Sequence, residues 1–176
     1  MKFNQTKLEG AFIIDLDKHR DERGFFARTW CRQEFRDHGL NTDIAQTSIS
    51  FNKRAGTLRG MHFQVEPYEE TKLVRCTRGA LHDVILDLRI GSPTYRQWTA
   101  VELSADNYRM LYIPAGFAHG FITLEENTEA TYLISDPYLP DSASGIRWDD
   151  PVFDMKWPRA IEVISDRDLE WPDFKG

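Results

Sequence analysis

The chain has 176 residues, with 22 Lys and Arg against 28 Asp and Glu, a net charge of −6, and 41% apolar residues. That length suits one domain, residues 1–176, able to bury a core without staples. The acidic balance argues against a nucleic-acid surface, which needs a basic excess. No run approaches the ~20 apolar residues of a membrane span, and Met1-Lys2-Phe3-Asn4-Gln5 opens no signal-peptide stretch. A soluble cytoplasmic protein is expected.

In chain order, short β-rich runs are predicted at Ala11–Leu16 and Gly24–Trp30, then one short helix from Arg32 to His38 that stops at Gly39. Further strands are predicted at Ile44–Asn52, Lys72–Thr77, Leu81–Leu88, Gln97–Leu103, Arg109–Ile113, Gly120–Leu124 and Thr128–Ile134. Turns at Arg78-Gly79, Gly91-Ser92-Pro93 and Ala105-Asp106-Asn107 give an antiparallel all-β topology, which at this length closes into a barrel or jelly roll. From Pro137 onward, five prolines and three tryptophans in the last 40 residues predict irregular structure with short helices wrapped over the barrel. Cys31 and Cys76 fit no metal or redox spacing, and both are expected to be free thiols.

The chemistry concentrates in Leu58-Arg59-Gly60-Met61-His62-Phe63-Gln64 and Lys72. An imidazole can take a proton near neutral pH, an ammonium can stabilise a developing oxyanion, and a guanidinium grips phosphate. Together they fit proton abstraction beside a carbonyl on a phosphorylated substrate. The bland alternatives are a satisfied rim histidine, a snorkelling strand lysine and a packing tyrosine at Tyr132. As a base, His62 needs an acceptor on its other ring nitrogen, and spacing leaves both Asp83 and Asp168 open. A metal site would draw on His62, His119 and Glu69 or Glu70, but Gln64 stands where a His-x-His pair needs its second histidine. His19, His38 and His82 have no comparable company and are read as structural or solvent-facing.

Several blocks in fixed order resemble the dTDP-4-dehydrorhamnose 3,5-epimerase family of metal-free cupins. They are Asp21-Glu22-Arg23-Gly24-Phe25-Phe26, Gly56-Thr57-Leu58-Arg59-Gly60-Met61-His62-Phe63-Gln64, Lys72-Leu73-Val74-Arg75, Ile113-Pro114-Ala115-Gly116-Phe117-Ala118-His119-Gly120-Phe121 and Gly145-Ile146-Arg147-Trp148-Asp149-Asp150-Pro151. The resemblance implies a homodimeric cupin-type jelly roll that epimerises a nucleotide-diphospho-4-keto-6-deoxyhexose without a cofactor. It implies His62 as base with Asp168 as its partner and Asp83 as the fallback, Lys72 beside the keto oxygen, and Tyr132 as acid. It further implies Arg23 and Arg59 on the diphosphate, Phe26 and Tyr138 at the nucleotide, His119 as a second pocket histidine, and Gln46 and Ser48 in the substrate region. Three positions depart from the family pattern: Arg28 and Ala143 where glutamate is common, and Ser48 where asparagine is. The rival readings are an epimerase acting at C3 or C5 alone, a non-catalytic sugar-nucleotide-binding cupin, and a metal-dependent cupin oxygenase.

Overall fold

The structure, a computed structural model, describes residues 1–175. Two antiparallel sheets face each other. One has six strands in the order β1 (Lys2–Gln5), β2 (Phe12–Asp15), β10 (Met110–Ile113), β7 (Lys72–Arg78), β12 (Thr128–Ile134) and β5 (Gln46–Asn52). The other has five, in the order β13 (Ala143–Gly145), β6 (Leu58–Gln64), β11 (Phe117–Thr123), β8 (Ala80–Asp87) and β9 (Trp98–Ser104). A separate hairpin pairs β3 (His19–Asp21) with β4 (Gly24–Phe26). Helix α1 covers Arg32–Asp37, a 3₁₀ turn covers Pro140–Ser142, and α2 covers Asp166–Leu169. This is the all-β, cupin-type jelly roll that the turn spacing and the resemblance predict.

Side chains alternate across a strand, and three apolar clusters follow from that. Between the sheets, Val74 and Cys76 of β7, Leu111 and Ile113 of β10 and Ala130 of β12 meet Leu81 and Ile85 of β8, Leu103 of β9 and Phe121 of β11. On the outer face of the five-stranded sheet, Met61, Val84, Leu86 and Ala118 are roofed by Ile146, Phe153 and Met155 of the C-terminal wrap. On the outer face of the six-stranded sheet, Phe35 of α1 packs with Ile14, Leu73, Met110 and Tyr112. Strand β8 reads as nearly continuous apolar sequence because both of its faces are covered.

Several element boundaries differ from the sequence expectation. β11 begins at Phe117 rather than Gly120, so His119 sits within a strand. β4 stops at Phe26 rather than Trp30. β1, β3 and β13 escape the sequence patterns because their residues are mostly polar or their pairing is short. Cys31 and Cys76 are free.

Strand β6 breaks the alternation where the chemistry lies. Against β11, His62 pairs with His119 and Arg59 with Phe121, so three steps on β6 match two on its partner, a β-bulge. Gly60 makes this possible. Its φ is +129°, and a Cβ there would stand 2.5 Å from the Cα of Gly120. Arg59 and His62, three residues apart, therefore face one cavity.

Candidate active site

Between the sheets lies a cavity of about 420 Å³, walled by β5, β6, β7, β11 and β12 and by the start of the C-terminal wrap. His62, Lys72, His119, Tyr132, Arg59, Gln46, Ser48 and Tyr138 all line it.

His62 projects from β6, and its Nε2 lies 2.6 Å from Oδ1 of Asp168, leaving Nδ1 for the cavity. Asp168 belongs to α2, whose N-terminus is capped by Ser165: the Asp168 N–H donates to Ser165 Oγ at 3.2 Å. Its second oxygen accepts from the Gly60 N–H at 3.2 Å. Burial opposes ionisation of Asp168, but the hydrogen bond and charge of His62 and the bond from Gly60 outweigh it and hold the carboxyl below its usual range. The imidazole is thereby aimed by an ionised, buried partner, the arrangement a general base needs.

Asp83 is not that partner. It belongs to β8, on the far side of β11, and its Oδ1 lies 2.5 Å from His119 Nε2. The alternation that points Leu81 and Ile85 into the barrel also points Asp83 there, beneath His119 and out of reach of His62. Two His–Asp pairs thus stand side by side on adjacent strands.

Tyr132 on β12 approaches His119 edge-on, with ring centroids 6.1 Å apart. Burial, reinforced by the charge of Asp83 and only partly offset by Arg59, drives its pKa far up, so the phenol keeps its proton. Lys72, at the first position of β7, is 8% exposed, and its Nζ lies 2.8 Å from Oε1 of Glu70. Arg59 is steadied by a 2.8 Å bond from its Nε to Asn52 Oδ1. Gln46 accepts from the Tyr138 N–H at 3.4 Å, and Tyr138 stands half-exposed at the mouth with Arg167 Nη1 3.5 Å from its hydroxyl.

Gln64, the residue that replaces a second metal-binding histidine, is buried and spends its amide on main chain. Its Nε2 donates to the Tyr68 and Pro137 carbonyls, and its Oε1 accepts from the Leu139 N–H at 2.7 Å. It pins the wrap to the cavity wall. Among the described residues, no group of three or more His, Cys, Asp and Glu is arranged to hold a metal ion.

Two residues expected at the site lie outside this cavity. Arg23 and Phe26 ride on the β3–β4 hairpin. The Arg23 side chain is 89% exposed and paired with Asp21, and Phe26 is 76% exposed. Arg28 also lies outside, bonded to Glu34 at 2.9 Å, whereas Ser48 and Ala143 line the cavity. Glu70 and Arg167 are lining residues that sequence reasoning did not single out for these positions. A readable sign existed for Glu70, since it precedes Lys72 by two residues and so shares its face in extended chain.

Two facing antiparallel sheets with acid–base groups converging between them define a cupin-type fold carrying an active-site cavity. Residues 5–176 match the family model described as dTDP-4-dehydrorhamnose 3,5-epimerase. The dTDP-4-dehydrorhamnose 3,5-epimerase of Sinorhizobium fredii is 41% identical over 175 residues, spanning 99% of this chain and 90% of that one. The Bacillus anthracis dTDP-4-dehydrorhamnose 3,5-epimerase crystal structure with TDP and PPi bound aligns with a TM-score of 0.94 at 38% identity, over 98% of this chain and 99% of that one. A 3'-monoepimerase from Streptomyces bikiniensis, solved with dTDP-quinovose, aligns with a TM-score of 0.88 at 33% identity, over 96% of this chain and 85% of that one. The chain belongs to the dTDP-4-dehydrorhamnose 3,5-epimerase family, whose members are isomerases.

Proposed function

We propose that the protein epimerises a nucleotide-diphospho-4-keto-6-deoxyhexose, inverting C3 and C5 of dTDP-4-dehydro-6-deoxy-D-glucose without a cofactor. The observation that carries this is the His62–Asp168 dyad, 2.6 Å between Nε2 and Oδ1, sharing one cavity wall system with Lys72 and a protonated Tyr132. A proton next to a ketone is weakly acidic, so its removal needs a placed base and a stabilised oxyanion. His62 Nδ1 takes the proton, the C–H electrons form the enolate double bond, and charge collects on the 4-oxygen beside the Lys72 ammonium. Tyr132 then delivers its proton to the same carbon from the opposite face, inverting it, and exchange with water resets imidazolium and phenolate. General-base catalysis of this kind contributes about 10²–10⁴-fold. Because the 4-keto group activates both neighbouring carbons, one set of residues serves both centres.

Arg59 contacts the diphosphate in this proposal, Tyr138 stacks on the base, and Gln46, Ser48 and His119 complete the substrate-binding wall. The protein acts as a homodimer in which the exposed hairpin carrying Arg23 and Phe26 reaches the partner's cavity and adds a cation and an aromatic face to its nucleotide end. No helix among the described residues is long and apolar enough to cross a membrane, consistent with action on a small water-borne nucleotide sugar in the cytoplasm.

The single-centre reading is favoured by one observation, the likeness to a 3'-monoepimerase. Incubation with dTDP-4-keto-6-deoxyglucose in D₂O, followed by NMR, separates the two. Deuterium at both C3 and C5 is expected. Deuterium at one carbon selects the single-centre enzyme, and none at either removes the epimerase reading in favour of a binding protein.

A further inference from the structure

Lys72 does not stand alone in the cavity wall. Its ammonium is tied to Glu70 at 2.8 Å, and both side chains are 10% exposed. The segment that carries Glu70 is fixed at the next residue, Thr71. The Thr71 N–H donates to Ser135 Oγ at 2.8 Å, and the Ser135 N–H donates back to the Thr71 carbonyl at 3.0 Å, which clamps the segment before β7 to the end of β12.

The charge balance of the cavity makes this pair unusual. Among the described residues, Glu70 is the one carboxylate lining it, beside three basic side chains, Lys72, Arg59 and Arg167. Arg59 has its own partner in Asn52, and Arg167 lies against Tyr138 and the Trp171 ring. The remaining titratable groups that face Lys72 are His62 from β6, His119 from β11 with Asp83 behind it, Tyr132 from β12, and Tyr138 from the wrap. β10, the other neighbour of β7, turns Leu111 and Ile113 to that side.

We infer that Glu70 is the positioning residue for Lys72: it fixes the ammonium within reach of the substrate's keto oxygen and balances its charge until the enolate forms. The inference rests on the epimerase reading of Lys72. A lysine is a point charge on a flexible four-carbon stem, with three donors that rotate freely. Fixing one N–H on a carboxylate borne by an anchored segment directs the other two. A buried ammonium without a partner is also unfavourable, so the carboxylate keeps a charged donor in an apolar wall. When charge builds on the 4-oxygen, the same ammonium meets a second anion, an interaction stronger in the transition state than in the ground state.

The test is a double-mutant cycle on solvent deuterium exchange into dTDP-4-keto-6-deoxyglucose, with wild type, Glu70→Gln, Lys72→Ala and the double variant, and calorimetric dTDP binding for each. Glu70→Gln should lower kcat by about 10- to 100-fold, the scale of a misplacement near 1 Å. KM and dTDP affinity should hold within about twofold, and Glu70→Asp should recover part of the loss. In the Lys72→Ala background, Glu70→Gln should cost nothing further, because the two act as one unit. Wild-type kcat in Glu70→Gln overturns the inference, as does an equal loss in both backgrounds or a collapse of dTDP binding. Wild type without exchange removes the epimerase reading itself, and the inference falls with it.

Discussion

Each of the two site histidines has one ring nitrogen committed to a buried aspartate, but Asp168 also accepts from the Gly60 N–H, whereas the second oxygen of Asp83 has no hydrogen-bond partner among the described residues. With His62 as the proposed base, two outcomes are expected. In His62→Asn, exchange of deuterium at the sugar carbons should fall by about 10³-fold, within the span of general-base catalysis. Calorimetric dTDP binding should stay near wild type, because the dyad is not placed on the nucleotide. Tyr132→Phe should separate the two half-reactions. Abstraction and return of a proton on the same face still wash deuterium in, while net inversion, read from the product's coupling constants by NMR, is lost. Equal loss of exchange and inversion in Tyr132→Phe would remove the phenol as the opposite-face acid.

The loop from β8 to β9 shows how an element is held where apolar packing is thin. Asp87 is fully buried, and it accepts from Arg89 Nε and Nη2 at 2.9 and 2.7 Å, from Ser92 Oγ at 2.6 Å and from Thr94 Oγ1 at 2.7 Å. Burial disfavours its charge, yet these bonds prevail and bring its pKa down to about 2. A folded-state pKa below the unfolded value stabilises the protein above pH ~3.8, and that contribution disappears as the pH falls through about 2. Asp87→Asn should therefore cost roughly 2 kcal/mol in urea unfolding at pH 7, and the gap from wild type should close on titration toward pH 2. A gap that persists in acid would mean the loop depends on shape rather than charge. The turn itself was legible, since Gly91-Ser92-Pro93 punctuates the sequence, but the converging hydroxyls were not. The same holds across the molecule. β12 has the bounds its pattern predicts, Thr128–Ile134, because alternation and flanking turns are local signals. His62 and Lys72 announce themselves by residue type. The choice of Asp168 over Asp83 does not: residue type and spacing leave both open and only the resemblance prefers Asp168, because what separates them is the docking of α2 on β6 and the position of β8 beyond β11. Strict alternation would also have put Arg59 and His62 on opposite faces, and the bulge at Gly60 reverses that.

At the scale of the whole molecule, the hairpin that carries Arg23 and Phe26 presents a cation and an aromatic ring to the outside while this chain's cavity lacks them. If they serve the partner's cavity, two defective proteins should repair each other. Mixing Arg23→Ala with His62→Asn after dissociation and reassociation should restore roughly a quarter of the wild-type sites, since half the dimers are mixed and each mixed dimer holds one complete site. No recovery would place Arg23 in service of its own chain or of neither. The wrap carries a separate consequence, one of timing. Asp168 follows His62 by 106 residues, and at about 5–20 residues per second of synthesis that interval is roughly 5–20 s. The strand bearing the imidazole leaves the ribosome first and waits, so if His62 is the base it has no means of being aimed until Asp168 follows. On the proposed reading, catalytic competence waits on Asp168, and its appearance during synthesis would mark the docking of α2.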